Sequence, residues 1–192
     1  MPTSLVSTGV QFPDSTIQTT AAVGGGAWTL LTSGTFPGNT SDIDVTTGFS
    51  TTYDTYWLLV QNVVCTNFNI RLDYGSGFLS SGYGTNLVGN SSVYSGANTQ
   101  PSNGYGYSRI PIFSSDRQQA VNIYLYNRNG SNNHFIVYQA IQNEIGTGGQ
   151  NMGYCWGMGG QSNNSGSITG IRITGDGIFT QGFYFLYGLK KT

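Results

Sequence analysis

Charged side chains are scarce in this chain of 192 residues. Asp, Glu, Lys and Arg together make up 8% of the sequence, against about 25% in an average soluble domain. The formal net charge is -1, and Lys190 with Lys191 forms the only pair of adjacent basic residues. A nucleic-acid-binding surface needs clustered basic side chains that neutralise several phosphates. The composition therefore excludes a broad surface of that kind, and we expect no nucleic-acid partner.

Histidine and cysteine are nearly absent as well. The single histidine, His134, follows a polar, turn-forming stretch, and no Gly-x-Ser-x-Gly nucleophile motif accompanies it. We therefore expect His134 to be a solvated loop residue and not the base of a Ser-His-Asp relay. Cys65 and Cys155 are too few for a disulfide scaffold, and they lack the paired spacing of a zinc site. We expect both thiols to be reduced, although the sequence does not decide whether they pair, and we expect neither metal nor cofactor.

Long apolar runs are missing too. No stretch approaches the roughly 20 residues that a membrane-spanning helix requires. The first residues, Met1 to Leu5, show neither the basic region nor the apolar run of a secretory signal peptide. The sequence therefore predicts a soluble protein that is made in a cytoplasm and does not insert into a membrane.

The residues that are abundant favour strands. The helix formers Glu, Lys, Ala and Leu are scarce, whereas Thr, Val, Ile and aromatic residues are plentiful. The run Phe68–Tyr74 alternates apolar and polar residues, and the continuous apolar run Tyr56–Val60 predicts a strand buried on both faces. Further runs of this kind are separated by turn-forming clusters. We predict an all-β fold, a two-sheet antiparallel sandwich that is jelly-roll-like and carries an extended N-terminal arm.

The arm and its linker occupy residues 1–26, and the sandwich domain occupies residues 27–192. The arm has no apolar period that could build a core, so we expect it to become ordered on another protein. Gly24-Gly25-Gly26 would act as a swivel between the arm and the domain. The residues expected to make the attachment are Val10, Phe12, Pro13, Asp14 and Ile17.

A second segment without a strand pattern runs from Gly75 to Gly106 and is rich in Tyr, Ser, Asn and Gly. Tyrosine supplies rigid contact area and Ser, Asn and Gly supply adaptable hydrogen bonds, a mixture typical of recognition surfaces. The candidate recognition residues are Tyr83, Tyr94, Tyr105 and Tyr107. The alternative is that these tyrosines pack into a subunit interface or cover the rim of the sandwich.

The carboxylates give little support for catalysis. A glycosidase needs two carboxyl groups about 5–9.5 Å apart, and Asp73 with Asp176 is a conceivable pair that nothing else in the sequence selects. Asp42-Ile43-Asp44 could contribute to a calcium site, but two carboxylates on one strand face are more often a solvated edge. We expect no catalytic residues and no enzymatic activity.

Four segments resemble proteins of tailed-bacteriophage virions. Phe12-Pro13-Asp14-Ser15-Thr16, followed by Gln18-Thr19-Thr20-Ala21-Ala22, is similar to a recurring FPDGT-QTTAA arm, with Ser15 in place of glycine. Tyr53–Val60 resembles a Y-D-x-Y-x-L strand. Ser167–Ile173 and Gly182–Lys190 resemble a G-I-R-I … F-x-L-Y-G-x-K ending. The resemblance implies a virion structural protein of the short-fibre or decoration type.

What this resemblance implies about function is a set of expectations. The chain would be a non-enzymatic virion component, made in the host cytoplasm and anchored to other virion proteins by its arm. It would serve as a short tail-fibre or receptor-binding module that contacts a host surface glycan or receptor. The alternative is capsid decoration, as a cement or head-fibre protein that stabilises the shell. A carbohydrate-binding module or a glycan hydrolase is less favoured. The expected homotrimer takes its number from the resemblance; the low charge predicts only some form of association.

Overall fold

The computed structural model describes the backbone of residues 4–6, 9–11, 17–18, 28–65, 68–90, 102–105, 108–110, 118–126, 133–146, 149–162 and 166–190. Side chains are described for residues 28–65, 68–83, 118–126, 134–141, 157–160 and 166–190. Every regular element within these ranges is a β-strand. The part of the chain that is described contains no helix long and apolar enough to cross a membrane.

The strands, in chain order, are β1 (Ser4–Val6), β2 (Gly9–Gln11), β3 (Ile17–Gln18), β4 (Trp28–Thr35), β5 (Thr40–Val45), β6 (Tyr53–Val63), β7 (Phe68–Asp73), β8 (Tyr83–Asn90), β9 (Ser102–Tyr105), β10 (Ser108–Ile110), β11 (Gln119–Tyr126), β12 (Asn133–Gly146), β13 (Gly149–Ser162), β14 (Gly170–Phe179) and β15 (Phe183–Lys190).

These strands form two antiparallel sheets of the domain and a separate three-stranded sheet of the arm. The large sheet has eight strands in the order β4-β15-β6-β11-β12-β13-β8-β9, and the small sheet has four in the order β10-β7-β14-β5. Most consecutive strands alternate between the two sheets, whereas β11, β12 and β13 form a meander within the large sheet. The predicted all-β, jelly-roll-like sandwich of two antiparallel sheets is confirmed.

The core lies between the two sheets and is built from alternate residues of each strand. In the large sheet, Leu58 of β6 and Ile123 of β11 are register partners, and both are fully buried. In the small sheet, Ile70 of β7 and Ile173 of β14 are partners and equally buried. Because successive side chains of a strand point to opposite faces, each of these strands also presents a second row away from the core.

Two expectations about β6 and β7 have different outcomes. The apolar row of β7 is confirmed, since Phe68, Ile70 and Leu72 are all fully buried, whereas the polar row is not uniformly outside, because Asn69 is buried too. The prediction that Tyr56–Val60 is buried on both faces is wrong. Tyr56, Leu58 and Val60 are buried, but the residues between them, Trp57 and Leu59, are only half-buried. Among the described residues, the small sheet covers one face of the large sheet, and the alternate residues of this apolar run lie on the other face.

The two segments predicted to lack strands are partly strands. The described parts of the arm form a three-stranded antiparallel sheet in which β2 lies between β1 and β3. The prediction of one long loop from residue 75 to residue 106 is wrong, because β8 and β9 lie inside it and β8 pairs with β13. Backbone hydrogen bonds maintain this pairing without an apolar alternation, which is why the sequence pattern did not show it.

Two cross-strand contacts join a glycine to an aromatic ring. A β-carbon on Gly188 would lie 2.6 Å from Cδ1 of Tyr53, and one on Gly34 would lie 2.6 Å from Cε1 of Tyr184. Tyr53 and Gly188 belong to two of the segments that resemble virion proteins, the Y-D strand and the L-Y-G ending. At each position the glycine leaves room for the ring.

We expect Gly188→Ala to destabilise the domain by about 1–3 kcal/mol, since its added methyl group would overlap the Tyr53 ring within a packed layer. Gly38→Ala is the matched control, because a β-carbon there would meet only the Thr180 carbonyl oxygen, at 3.8 Å. Urea unfolding of the two variants and the wild type measures both effects. Equal stability of the two variants would contradict the packing role of Gly188.

Candidate assembly surface

The outward face of the small sheet is charged. Asp42 and Asp44 of β5 are exposed, and Arg172 of β14 stands beside them. The Arg172 guanidinium donates from Nε and Nη2 to the two carboxylate oxygens of Asp44, at 2.6 and 2.7 Å. This hydrogen bonding raises the pKa of Arg172. The same guanidinium lies 4.4 Å from the centroid of the Phe78 ring.

This charged pairing accounts for the Asp42-Ile43-Asp44 segment. Ile43 faces the core, whereas Asp44 is neutralised by Arg172, and Asp42 lies 3.9 Å from the same guanidinium. No group of three His, Cys, Asp or Glu that could hold a metal occurs among the described residues. The small sheet thus presents an ion-paired surface of the kind that normally faces water.

The outward face of the large sheet has the opposite character. Its outward positions carry aromatic and aliphatic side chains, and we call this surface the outer aromatic face. Its apolar members are Trp28, Leu30, Trp57, Leu59, Tyr124, Tyr126, Phe135, Val137, Ile141, Met158, Phe183, Phe185, Tyr187 and Leu189. Thr55, Gln61, Asn122 and Gln139 lie among them. None of these positions is charged; the charged side chains described on this sheet, Asp54 and Lys190, stand at strand ends.

Cross-strand register makes the outer aromatic face continuous. One row across the sheet pairs Tyr187 of β15 with Trp57 of β6, and Trp57 with Tyr124 of β11. The same row continues through Val137 of β12 to Met158 of β13. Side chains in such a row stand beside one another at the strand spacing of about 4.8 Å. The apolar surface therefore extends over at least five neighbouring strands.

Three rings of this row are packed against one another. The centroids of Trp57 and Tyr187 are 4.9 Å apart with an interplanar angle of 25°, and those of Trp57 and Tyr124 are 6.1 Å apart at 12°. Trp28 lies against Trp57 at 5.8 Å, edge to face. The Trp57 indole donates from Nε1 to Oδ1 of Asn122 at 3.0 Å. The Trp57 ring is thus stacked with its two neighbours and oriented by a hydrogen bond.

The exposed apolar side chains concentrate on this surface. Eight large hydrophobic residues are exposed among those described, and seven of them belong to the outer aromatic face; Ile178 of β14 is the eighth. Phe135, Ile141 and Met158 are each about half exposed, at 50%, 48% and 51%. A uniform scatter of such residues would be ordinary, whereas their grouping on one face is typical of contact surfaces.

Of the four candidate recognition tyrosines, Tyr83 is placed in the core. Only 1% of Tyr83 is exposed, and its hydroxyl oxygen accepts a hydrogen bond from the Leu72 backbone N–H at 2.7 Å. The prediction that Tyr83 belongs to an exposed loop is therefore wrong. Tyr105 lies on β9, as the register partner of Tyr83. Tyr94 and Tyr107 lie outside the described residues.

Of the five attachment residues of the arm, Val10 lies on β2 and Ile17 on β3, with their backbones paired within the arm sheet. Phe12, Pro13 and Asp14 lie outside the described residues. Their proposed role in attachment stays a prediction.

His134 is placed differently from the sequence expectation. It is fully buried on β12, with its ring 4.8 Å from that of Tyr74, so the prediction of a solvated loop histidine is wrong. Strand alternation explains the placement, because Ile136, Tyr138 and Ala140 share its face and are buried too. The polar run before it concealed this signal.

The two aspartates considered as a glycosidase pair are far apart. Asp73 is the partner of Gly170, whereas Asp176 follows Gly175, the partner of Phe68 at the other end of the strand pair. Six residues of strand separate these positions, a distance of about 20 Å. Asp73 accepts hydrogen bonds from the backbone N–H groups of Gly75 and Gly77, and Asp176 accepts one from Asn69. They cannot flank one glycosidic bond.

We expect alkaline pH to destabilise the domain. Burial raises the pKa of the Cys65 thiol from 9.0 to about 12 and that of Tyr83 from 10.0 to about 12. The native state therefore retains protons that the unfolded chain releases, so stability is complete below about pH 9 and falls as the pH rises toward 12. Urea unfolding from pH 7 to pH 11 measures this; constant stability across that range would contradict the burial of both groups.

Tyr83→Phe separates the contribution of the phenol. It leaves the Leu72 N–H without its acceptor, which should lower stability at pH 7 by about 1–3 kcal/mol. It also removes one titrating group, so the loss of stability above pH 10 should be shallower than in the wild type. A wild-type pH profile in this variant would show that Tyr83 does not contribute to it.

No family model matches the chain, and searches of curated proteins and of solved structures found no match. The likeness of four segments to phage virion proteins therefore remains a resemblance. The two outward faces described above differ in chemistry, one being ion-paired and the other aromatic.

Proposed function

We propose that the protein is a non-enzymatic structural component of a phage-type virion, in which the N-terminal arm attaches the domain and the outer aromatic face makes protein contacts. The observation that carries the proposal is the contrast between the outward faces of the two sheets. The small sheet has the Arg172–Asp44 ion pair on its surface, whereas the outward side chains described on the large sheet are rings, aliphatic groups and a few neutral polar groups. Such a surface supports association better than it supports acid–base chemistry.

The segments that resemble virion proteins support the same proposal. Three of the four lie on β6, β14 and β15, where their residues make contacts within the sandwich: Tyr53 with Gly188, Tyr187 with Trp57, and Arg172 with Asp44. These are packing and pairing contacts and involve no candidate nucleophile, acid or base. A shared pattern of this kind is what related structural domains need to retain.

Two locations of the protein on the particle are consistent with the proposal. As a short tail-fibre or receptor-binding module, the domain would contact the host surface with Tyr94, Tyr105 and Tyr107, since Tyr83 is buried. As a decoration protein, it would contact capsid subunits and stabilise the shell. The apolar outer aromatic face suits contacts between proteins in either location.

The test of the proposal is to ask whether purified particles of the phage that encodes this chain contain it, and in how many copies. Antibodies against the purified chain should label intact particles in electron micrographs, and quantitative mass spectrometry should give the copy number. Hundreds of copies would place the protein on the shell, and a few dozen or fewer would place it on the tail. Particles without the chain would refute the proposal.

We expect deletion of residues 1–22 to leave the domain folded but unable to join the particle. The described strands of the arm pair with one another in their own sheet, and the core described above is built from residue 36 onward. The melting temperature of the truncated chain should therefore stay close to that of the full chain, while its incorporation into particles lacking the protein is lost. The full chain, added to the same particles, is the control. An unfolded truncated chain, or one that still incorporates, would contradict the role of the arm.

A further inference from the structure

We propose that the outer aromatic face is covered by a second copy of this chain, so that the protein is a homo-oligomer in which large sheets pack against each other. This inference names the partner that covers the surface. It rests on the proposed function only for the place of the oligomer in a virion. The assignment of the surface itself follows from the residues of the large sheet alone.

The dimensions of the outer aromatic face are close to those of a stable protein interface. From β4 to β13 the face spans six neighbouring strands, and along β15 it extends from Phe183 to Leu189. At about 4.8 Å between strands and about 3.3 Å per residue, these dimensions are about 24 Å by about 20 Å, or roughly 500 Å² in projection. The accessible area is larger because the side chains stand out from the sheet. This approaches the 600 Å² or more, in order of magnitude, that each partner contributes to a stable interface.

The chemistry of the outer aromatic face suits a sugar, a membrane or a charged macromolecule less well than a second copy of the chain. A sugar-binding platform offers open ring faces, but Trp57 has one ring face against Tyr187 and stands parallel to Tyr124, and its indole N–H is bonded to Asn122. A membrane-binding surface joins apolar residues to flanking Lys and Arg. Among the described residues, Lys190 at the end of β15 is the one basic side chain near the face. A charged macromolecule would find no cluster of complementary charge on this face among the side chains that are described.

A second copy of the chain matches the face on every count. It presents the same apolar surface, and two such sheets pack face to face about 10 Å apart, as in the interior of a sandwich. Exposed rings such as Phe135 and Tyr126 could then fill the places beside small and polar neighbours, Gly160 and Thr55, which share their row. Closed symmetry lets such a surface cover itself in every copy.

The structure also offers a matched pair of variants. Phe135 and Ile141 stand on the outer aromatic face and are about half exposed, and Ile178 stands on the small sheet, 55% exposed. A charge placed at any of the three positions can reach water in the isolated chain. It becomes buried only if the surface around it is covered by another molecule.

The experiment is light scattering of the full chain at micromolar concentration, for the wild type, Phe135→Glu/Ile141→Glu and Ile178→Glu. We expect the wild type and Ile178→Glu to have at least twice the 20.6 kDa mass of one chain, since two large sheets that face each other need two copies. The double variant should weaken association by at least about tenfold and approach the mass of one chain. Its circular dichroism should remain that of the wild type, because both side chains are half exposed. If it fails to fold, Leu30→Glu on β4, also exposed, decides the point in the same way.

Several results would overturn the inference. A monomeric wild type would do so, as would a double variant that keeps the wild-type mass, or an Ile178→Glu variant that dissociates. Association that weakens as NaCl rises would place the interface on the ion-paired small sheet instead, since an apolar contact is not screened by salt. A monomer that floats with vesicles of phosphatidylcholine and phosphatidylglycerol would assign the face to lipid. None of these results bears on whether particles contain the chain, so the two proposals fail separately.

Discussion

A strand sends alternate side chains to opposite faces of its sheet, and a sandwich of two sheets buries only one face of each. In the large sheet both alternating rows are apolar: Tyr56, Leu58 and Val60 lie in the core, whereas Trp57 and Leu59 lie on the outside. One row is satisfied by the small sheet. The other has no cover within the described part of the chain, and the proposed role in assembly follows from this imbalance.

The small sheet shows what the same fold does where it meets water. Behind the buried Ile171 and Ile173, the outward row of β14 carries Arg172, which forms two hydrogen bonds with Asp44 on the neighbouring strand. The two sheets therefore share one core but differ in their outer surfaces. Because the difference lies within one domain of uniformly low charge, composition alone does not explain it.

Much of the fold was predictable because strand alternation is a local signal. The Phe68–Tyr74 run identified β7, and the general abundance of Thr, Val, Ile and aromatic residues identified the class. The outer aromatic face was not predicted, although the Tyr56–Val60 run contains part of it. In sequence, an apolar run of a sheet that is covered on one face has the same pattern as a strand buried on both faces. The predictions for Tyr83 and His134 are wrong for the converse reason: each is a buried residue next to a polar stretch, and only the pairing of its strand with a distant strand shows its direction.

Hydroxyl-radical footprinting of the full chain tests the central claim, that the two outward faces have different environments in the assembled protein. Met158 and Phe135 report on the outer aromatic face, and Ile178 reports on the small sheet; all three are about half exposed in the single chain. The account predicts that oxidation of Met158 and Phe135 slows as the protein concentration is raised, while that of Ile178 stays constant. Oxidation of Met158 and Phe135 at a rate independent of concentration, and as fast as in the unfolded chain, would contradict it.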